Sequence, residues 1–387
     1  MGQSLSPRAL DVEPSIASVL AAKMRKRGSG AYRPRSEADV LPLLQRYVAQ
    51  QPGFERHQVS QVARLAGGAS KEQFRFDVTG PDGQAQRLVL RMDPPESVVE
   101  TSRVREFQAL RAFEGVVPVP RAIWMDADGE HFGTPALVTA FVQGVTKPAG
   151  APGGNVSGLG INVGESWRDV LAEPFMRHLV AIHHFNWRQA DLQAYAVPDA
   201  DPQQAARRQI DWWTQVWLED AVDPDPLMPA VEGWLRDNAP ACTDFVFCHS
   251  DYRTGNYLID EGQRTISAVL DWELAHLGDF HDDVAWVTCK VFGHLDEQGR
   301  FLVSGLMQRQ QFLDRYMQLS GRRIDAKTLH FYEVLNSYKV CVIMLASAYR
   351  TAVEAHNHQN VLQTWLVPCG HVFVSEVCRL IDQGPRA

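Results

Sequence analysis

The segment 246–273 constrains this chain more than any other part of its sequence. Two apolar runs flank a polar loop that contains Asp251 and Asn256, and Asp271 follows the next apolar run. The pattern predicts a strand–loop–strand hairpin that brings two carboxylates and one carboxamide to the mouth of a single cleft. Phosphoryl transfer requires such a set, because one carboxylate accepts a hydroxyl proton while the carboxamide and the second carboxylate hold Mg²⁺ on ATP. We therefore predict Asp251 as the catalytic base and Asn256 and Asp271 as metal ligands.

The spacing of these residues resembles that of a known family. The interval from Asp251 to Asn256 equals that of the kinase catalytic loop H-R-D-x-x-x-x-N. Together with His249 and the Leu-Asp-Trp-Glu stretch 270–273, it resembles the aminoglycoside phosphotransferase branch of the protein-kinase-like fold. Members of that family carry H-G-D at the first site, so Ser250 departs from the pattern while keeping a small residue there.

One subgroup of the family is more similar still. The stretch L-D-W-E-L-A-H-L-G-D over 270–279, and Arg208-Gln209 ahead of Trp212-Trp213, are similar to the kinase module that precedes the dehydrogenase in certain two-module acyl-CoA dehydrogenases. Free-standing bacterial relatives of that module share the likeness, which covers residues 55–375. The resemblance implies an α+β class: a bilobal protein-kinase-like fold with a small antiparallel β-sheet N-lobe and a mainly helical C-lobe.

The hydrophobic periodicity along the chain also divides it into two parts. Strand-like runs and turns fill residues 58–92, a helical pattern covers 101–113, and mostly helical patterns follow further on. We predict an N-lobe over residues 36–144 and a C-lobe over 145–387. Residues 1–35 are polar and punctuated by proline and glycine, which predicts a mobile N-terminal arm.

The nucleotide site is predicted in the N-lobe. Gly67, Gly68 and Ser70 lie in a turn between two predicted strands, where kinases place the turn that covers the phosphates, and glycine lets backbone N–H groups approach phosphate oxygens. Arg91 occupies the strand position at which protein kinases carry the lysine of V-A-I-K. A guanidinium group can bind phosphate oxygens bidentately and keeps its charge. Glu106, on the following predicted helix, is its expected ion-pair partner.

Three further side chains are predicted to support the catalytic loop. His249 is expected to orient the loop by hydrogen bonding and not to carry a proton. Asp279 and Asp283 lie in the stretch G-D-F-H-D-D-V-A-W. We expect these two carboxylates to cap a helix and to brace the catalytic loop.

Composition argues against several classes of function. The net charge of −8 disfavours a broad nucleic-acid interface, because phosphate binding needs clustered Lys and Arg. The six cysteines show no Cys-x-x-Cys spacing, which favours free thiols in a reducing compartment. No run approaches the roughly 20 apolar residues that span a bilayer, and the start lacks a signal pattern. We therefore expect a cytoplasmic protein with no membrane or nucleic-acid partner, and the sequence leaves its oligomeric state open.

The resemblance implies an ATP- and Mg²⁺-dependent kinase that phosphorylates a hydroxyl group of a small molecule. The similarity to the subgroup implies that this substrate is a hydroxyacyl-CoA. Two alternatives remain open at this point. One is an aminoglycoside, other antibiotic or sugar kinase, for which a cleft with an acidic rim would be expected. The other is a nucleotide-binding pseudokinase with a regulatory role, which Arg91 and Ser250 favour and the intact Asp251, Asn256 and Asp271 disfavour.

Overall fold

A five-stranded antiparallel sheet forms the N-lobe. The computed structural model describes residues 9–28, 30–65, 70–153, 159–199 and 201–385. The strands are β1 (Gln58–Arg64), β2 (Glu72–Thr79), β3 (Ala85–Met92), β4 (Ala122–Asp126) and β5 (Ala136–Ala140), in the spatial order β1-β2-β3-β5-β4. The helices within the first 144 residues are α1 (Pro14–Lys26), α2 (Glu37–Ala49) and α3 (Arg103–Phe113).

Period-two alternation along the strands builds the core of this lobe. Alternate side chains of β2 are buried, as expected for a strand with one face on a core. They pack against the apolar face of α2. A capping box between Ser36 and Asp39 begins this helix. The buried cluster includes Val40, Leu44, Phe74, Phe76, Leu88, Leu90 and Val138. This packing fixes β3 in the middle of the sheet, with Arg91 paired between Gln73 and Leu137.

The C-lobe is mainly helical. Its helices are α4 (Glu165–His184), α5 (Gln204–Asp220), α6 (Leu227–Asp237), α7 (Phe280–Val287), α8 (Arg309–Ser320), α9 (Ala326–Cys341), α10 (Tyr349–Glu354) and α11 (Asn360–Gln383). A π-helical segment, Val342–Ala348, joins α9 to α10. Its strands are β6 (Val246–Cys248), β7 (Tyr257–Asp260), β8 (Thr265–Val269), β9 (His276–Gly278), β10 (His294–Leu295) and β11 (Phe301–Leu302).

Two short antiparallel pairs carry the loops of the predicted site. β6 pairs with β9, and β7 pairs with β8, so the single predicted hairpin is divided between two small sheets. Cys248 lies opposite His276, and Tyr257 lies opposite Val269. The loop after β6 and the loop after β8 therefore leave their strands side by side.

The first helix corrects the predicted mobile arm. α1 contacts α5, and its Ile16 and Leu20 are buried in the hydrophobic cluster of the C-lobe. Lys23 donates a hydrogen bond to Asp220 Oδ1 at 2.7 Å. Because these contacts fix the segment on the C-lobe, the prediction of a mobile arm is wrong for residues 9–28.

The last helix corrects the expectation that no segment has membrane-spanning length. By length and composition alone, Val361–Gln383 is apolar enough to cross a bilayer, and 28% of its apolar window is buried. α11 packs on α9 and on the π-helical segment, with Leu366, Phe373, Val377 and Leu380 in the core. Helices that pack on a protein core pass the same test, because one buried face already raises their mean hydropathy.

Candidate active site

Asp251 and Asn256 are brought into direct contact by the loop between β6 and β7. The Asn256 amide nitrogen donates to Asp251 Oδ2 at 2.5 Å and to the Asp251 backbone carbonyl at 2.9 Å. With the amide nitrogen committed to Asp251, the amide oxygen is left as the donor atom for a cation. The two residues therefore act as one unit, whose carboxylate and amide oxygen are held in fixed relation.

Two further donors hold the second oxygen of Asp251. Arg253 Nε donates to Oδ1 at 2.9 Å, and Trp286 Nε1 of α7 donates to the same oxygen at 3.0 Å. Burial raises the pKa of Asp251 to about 6, against the opposing charge of Arg253, and the charge of Asp271 raises it further. A carboxylate with this pKa is ionised at neutral pH and is a better proton acceptor than an ordinary aspartate.

We expect kcat/KM for ATP to fall as the pH drops through about 6, because protonated Asp251 cannot accept the proton of the acceptor hydroxyl. In Arg253→Gln the charge that lowers this pKa is gone, so the acid limb should move to higher pH. The measurement is a pair of pH–rate profiles on parent and variant. An acid limb below about pH 5 in the parent, or an identical limb in both proteins, would contradict this role for Asp251.

Arg91 links the N-lobe to the second predicted metal ligand. Its guanidinium forms an ion pair with the fully buried Glu106 of α3, as predicted, and Nη2 donates to Asp271 Oδ1 at 2.7 Å. Asp271 has a left-handed backbone with a φ of 58°, and 35% of its side chain is exposed. The carboxylate is therefore held by one oxygen and remains accessible to a cation from the cleft.

Of the other residues predicted for the nucleotide site, the structure describes only Ser70. Gly67 and Gly68 lie outside the described residues, so the predicted phosphate-covering turn stays a prediction. Ser70 lies at the edge of that turn, where its backbone carbonyl accepts a hydrogen bond from Ser97 at 3.3 Å. The neighbouring Lys71 donates to the same Ser97 hydroxyl at 2.9 Å. The described edge of the turn is thus fastened to the loop that follows β3.

A buried ion network that the sequence did not predict joins this edge to the segment after Asp271. Glu273 lies 3.6 Å from Lys71 Nζ and 3.1 Å from Arg103 Nη2, and both cations also pair with Asp93. Burial acts to raise the pKa of Glu273, but the charges of Lys71 and Arg103 outweigh it and lower the pKa to about 2. Glu273 follows Asp271 by two residues in the Asp-Trp-Glu motif, and this position is the only feature of the sequence that indicates a role for Glu273 near the site.

The predicted bracing of the catalytic loop is confirmed. Asp283 is fully buried and accepts hydrogen bonds from the backbone N–H groups of His249 at 2.7 Å and Ser250 at 2.6 Å. Asp279 caps α7 by accepting from the backbone of His281. His249 Nε2 lies 3.0 Å from the Leu270 carbonyl, so its ring connects the loop of Asp251 to the residue before Asp271.

The surroundings of Ser250 account for a serine where the family pattern H-G-D has glycine. Its φ is 63°, in the left-handed region where glycine carries no steric cost. The serine compensates through its hydroxyl, which lies 2.9 Å from Nδ1 of the buried His276. A hydrogen bond of this kind contributes about 1 kcal/mol, similar to the cost of the left-handed backbone.

In Ser250→Ala the left-handed backbone remains but the His276 contact is lost, whereas Ser250→Gly loses the contact and relieves the backbone. We expect the glycine variant to be about as stable as the parent, because the two effects offset each other, and the alanine variant to be about 1 kcal/mol less stable than both. Urea unfolding of the three proteins measures the difference. Equal stability of the two variants would show that the backbone at this position is not strained.

The comparison with protein families decides the class of this chain. The model of the phosphotransferase enzyme family matches residues 61–318, well over half of the sequence, including every predicted site residue. The chain belongs to the phosphotransferase enzyme family. The resemblance seen around Asp251 and Asp271 is thereby confirmed.

Solved structures share the fold of this phosphotransferase. A Ralstonia eutropha protein assigned provisionally to the aminoglycoside phosphotransferases superposes with a TM-score of 0.61 at 21% identity, covering 87% of this chain and 98% of the other. An ethanolamine kinase of Plasmodium vivax superposes with a TM-score of 0.56 at 14% identity, covering 96% of each chain. The predicted α+β bilobal kinase-like fold is confirmed by these neighbours.

Sequence relatives point to the subgroup named above. A probable acyl-CoA dehydrogenase of Arabidopsis thaliana is 26% identical over 305 residues, which cover 73% of this chain and 35% of the relative. Human acyl-CoA dehydrogenase family member 11 is 25% identical over 301 residues, covering 75% of this chain and 36% of the relative. The phosphotransferase thus matches about a third of the length of these proteins.

Proposed function

We propose that this phosphotransferase transfers the γ-phosphoryl group of ATP, with Mg²⁺, to a hydroxyl group of a small molecule. The observation that carries the proposal is one connected set of contacts: Asn256 to Asp251, and Arg91 to both Glu106 and Asp271. Related structures of aminoglycoside phosphotransferase APH(4)-Ia hold ADP or AMP-PNP beside hygromycin B, which supports ATP as the donor. Phosphoryl transfer depends mainly on positioning and charge, and this set supplies both.

The donor atoms of Asn256 and Asp271 fit Mg²⁺. The ion prefers oxygen ligands and keeps several waters, so one amide oxygen and one exposed carboxylate suffice beside the phosphates. When bound, Mg²⁺ would neutralise charge on the transferred phosphoryl group. Arg91 would bind phosphate oxygens from the N-lobe side, and Glu106 fixes the orientation of its guanidinium. Asp251 would orient the acceptor hydroxyl and take its proton.

For the acceptor, a hydroxyacyl-CoA is our proposal. It rests on the acyl-CoA dehydrogenase relatives and on a cavity of about 510 Å³ between α7, α9 and α11. Apolar side chains make up much of the cavity lining: Ala285, Val291, Phe301, Val372, Phe373 and Leu380. Ala285 precedes Trp286 on α7, and the Trp286 indole donates a hydrogen bond to Asp251. An acyl chain is matched to such a lining, since burying apolar surface is favourable.

The same cavity disfavours a polycationic antibiotic. Its two carboxylates are already paired within the protein, Glu333 with Arg309 at 2.9 Å and Glu376 with Lys290 at 3.1 Å. A cationic ligand would gain little from carboxylates whose charge is already balanced.

The two residues that favoured a pseudokinase, Arg91 and Ser250, are compatible with an active kinase. Arg91 makes the expected ion pair with Glu106, and Ser250 leaves Asp251 in contact with Asn256.

The test is transfer of labelled phosphate from ATP to hydroxyacyl-CoAs of several chain lengths, to the corresponding free hydroxy acids, and to aminoglycosides. We expect product only with the thioesters, formed about 10²-fold or more slowly by Asp251→Asn. Transfer to an aminoglycoside alone would refute the acceptor assignment and leave the kinase assignment intact. No transfer and no metal-dependent nucleotide binding would refute both.

A further inference from the structure

Away from the catalytic cleft, a buried carboxylate–imidazole cluster joins the two lobes. Glu96 lies in the loop between β3 and α3, Glu354 is the last residue of α10, and His356 follows two residues later. We propose that these three side chains bind a transition-metal dication, with Zn²⁺ as the expected ion. One ligand atom from each residue lies within 4.8 Å of the other two.

The separations within this cluster suit a metal better than hydrogen bonds. His356 Nδ1 lies 3.3 Å from Glu96 Oε1 and 3.3 Å from Glu354 Oε2. Hydrogen bonds between nitrogen and oxygen are usually about 2.7–3.2 Å. Ligands held tetrahedrally at about 2.0–2.1 Å from Zn²⁺ are separated by about 3.3–3.4 Å. The two separations from His356 Nδ1 therefore match those expected around a zinc ion.

The three atoms that face one another are also unsatisfied. Glu96 Oε1, Glu354 Oε2 and His356 Nδ1 are buried and make no hydrogen bond within the described part of the chain. Glu96 and His356 are each 2% exposed. Burying such atoms without a partner is costly, and a metal ion would remove that cost. The nitrogen ligand favours a first-row transition metal over Mg²⁺ or Ca²⁺, which prefer oxygen alone.

The surrounding charges define the competing explanation. Arg27 Nε lies 3.6 Å from Glu96 Oε1, and Arg350 holds the other oxygen of Glu354 at 2.7 Å. Without a metal, these two arginines would balance the charge of the two carboxylates. The two explanations differ in a measurable way, because only the first predicts stoichiometric binding of Zn²⁺.

A metal here would connect the C-lobe to the described edge of the predicted phosphate-covering turn. Glu96 precedes Ser97, whose hydroxyl contacts both Lys71 and the Ser70 carbonyl. The Asn357 side chain donates to the Glu96 carbonyl at 3.0 Å, so the backbones of the two lobes already meet at this point. Zn²⁺ would therefore stabilise the relative position of the lobes without touching Asp251.

The test is equilibrium dialysis of the untagged, full-length protein against micromolar Zn²⁺, followed by metal analysis. We expect about one zinc per chain in the parent and binding at least about tenfold weaker in His356→Gln and Glu96→Gln. Asp271→Asn, which alters the predicted Mg²⁺ site, should retain the zinc. Zn²⁺ should also raise the melting temperature of the parent and not that of the two cluster variants.

Either of two results would overturn the proposal. One is a parent that binds no zinc above background, which would leave the pairing of the two carboxylates with Arg27 and Arg350 as the explanation. The other is zinc bound equally by parent and both variants, which would place the ion elsewhere. Should a variant fail to fold, X-ray absorption of the zinc-loaded parent still decides, since the proposal requires one imidazole and otherwise oxygen ligands.

Discussion

Asp251→Asn should lower kcat by about 10²–10⁴-fold while leaving the affinity for ATP nearly unchanged. The substitution keeps the size of the side chain but removes the proton acceptor. It also replaces the carboxylate that Asn256, Arg253 and Trp286 hold in place. Measuring ADP release with the acceptor proposed above, and nucleotide binding by calorimetry, separates an effect on chemistry from an effect on binding.

The matched control for this variant is Asp128→Asn, a change of the same kind at an exposed carboxylate between β4 and β5. We expect the control to behave like the parent in both measurements. If Asp251→Asn retained activity within about threefold of the parent, the assignment of Asp251 as the proton acceptor would be wrong, because a positioned base contributes much more than that.

Asp283→Ala should destabilise the protein by about 3–5 kcal/mol, the range for removing one partner of a buried charged group. Asp283 accepts from the backbones of His249 and Ser250 and lies 3.0 Å from His183 Nε2. Alanine leaves two buried N–H groups without an acceptor and an imidazole without its carboxylate. Urea unfolding gives the free energy of unfolding, and Asp283→Asn, which keeps one acceptor oxygen, should lose less.

The same carboxylate should make stability depend on pH. Burial acts to raise the pKa of Asp283, but its hydrogen bond and charge interaction with His183 outweigh burial and lower the pKa. A carboxylate whose pKa is lower in the folded state stabilises the protein at pH values above its unfolded pKa of about 4. This stabilisation is lost as the pH falls further. The difference between parent and Asp283→Ala should therefore shrink below about pH 4. A constant difference down to pH 2 would show that the charge of Asp283 is not what braces the loop.

The parts of the site that could be predicted are those whose residues lie close together in the sequence. Asp251, Asn256 and Asp271 lie within 21 residues, and their spacing predicts that they come together. The same holds for Asp283, which follows the motif closely. Local periodicity and spacing carry this information because the contacts are close in sequence. The strand pairing was predicted only in part, because β6 pairs with β9 and β7 with β8 instead of forming one hairpin.

Contacts between distant parts of the chain could not be predicted in the same way. α1 is fixed by the bond from Lys23 to Asp220, 197 residues away. The ion network of Lys71 and Arg103 with Glu273 joins segments about 170 to 200 residues apart. In sequence these side chains look like ordinary surface charges, since burial by a distant segment leaves no local pattern. The lobe boundaries at 36–144 and 145–387 stay predictions for the same reason.

The central claim is that Asn256 and Asp271 hold a divalent ion on the phosphates of ATP beside Asp251. The most direct measurement is calorimetric titration of AMP-PNP into parent and Asp271→Asn, each with and without Mn²⁺. We predict that Mn²⁺ strengthens nucleotide binding to the parent by at least about tenfold and has little effect on the variant. Equal enhancement by Mn²⁺ in both proteins would contradict the claim.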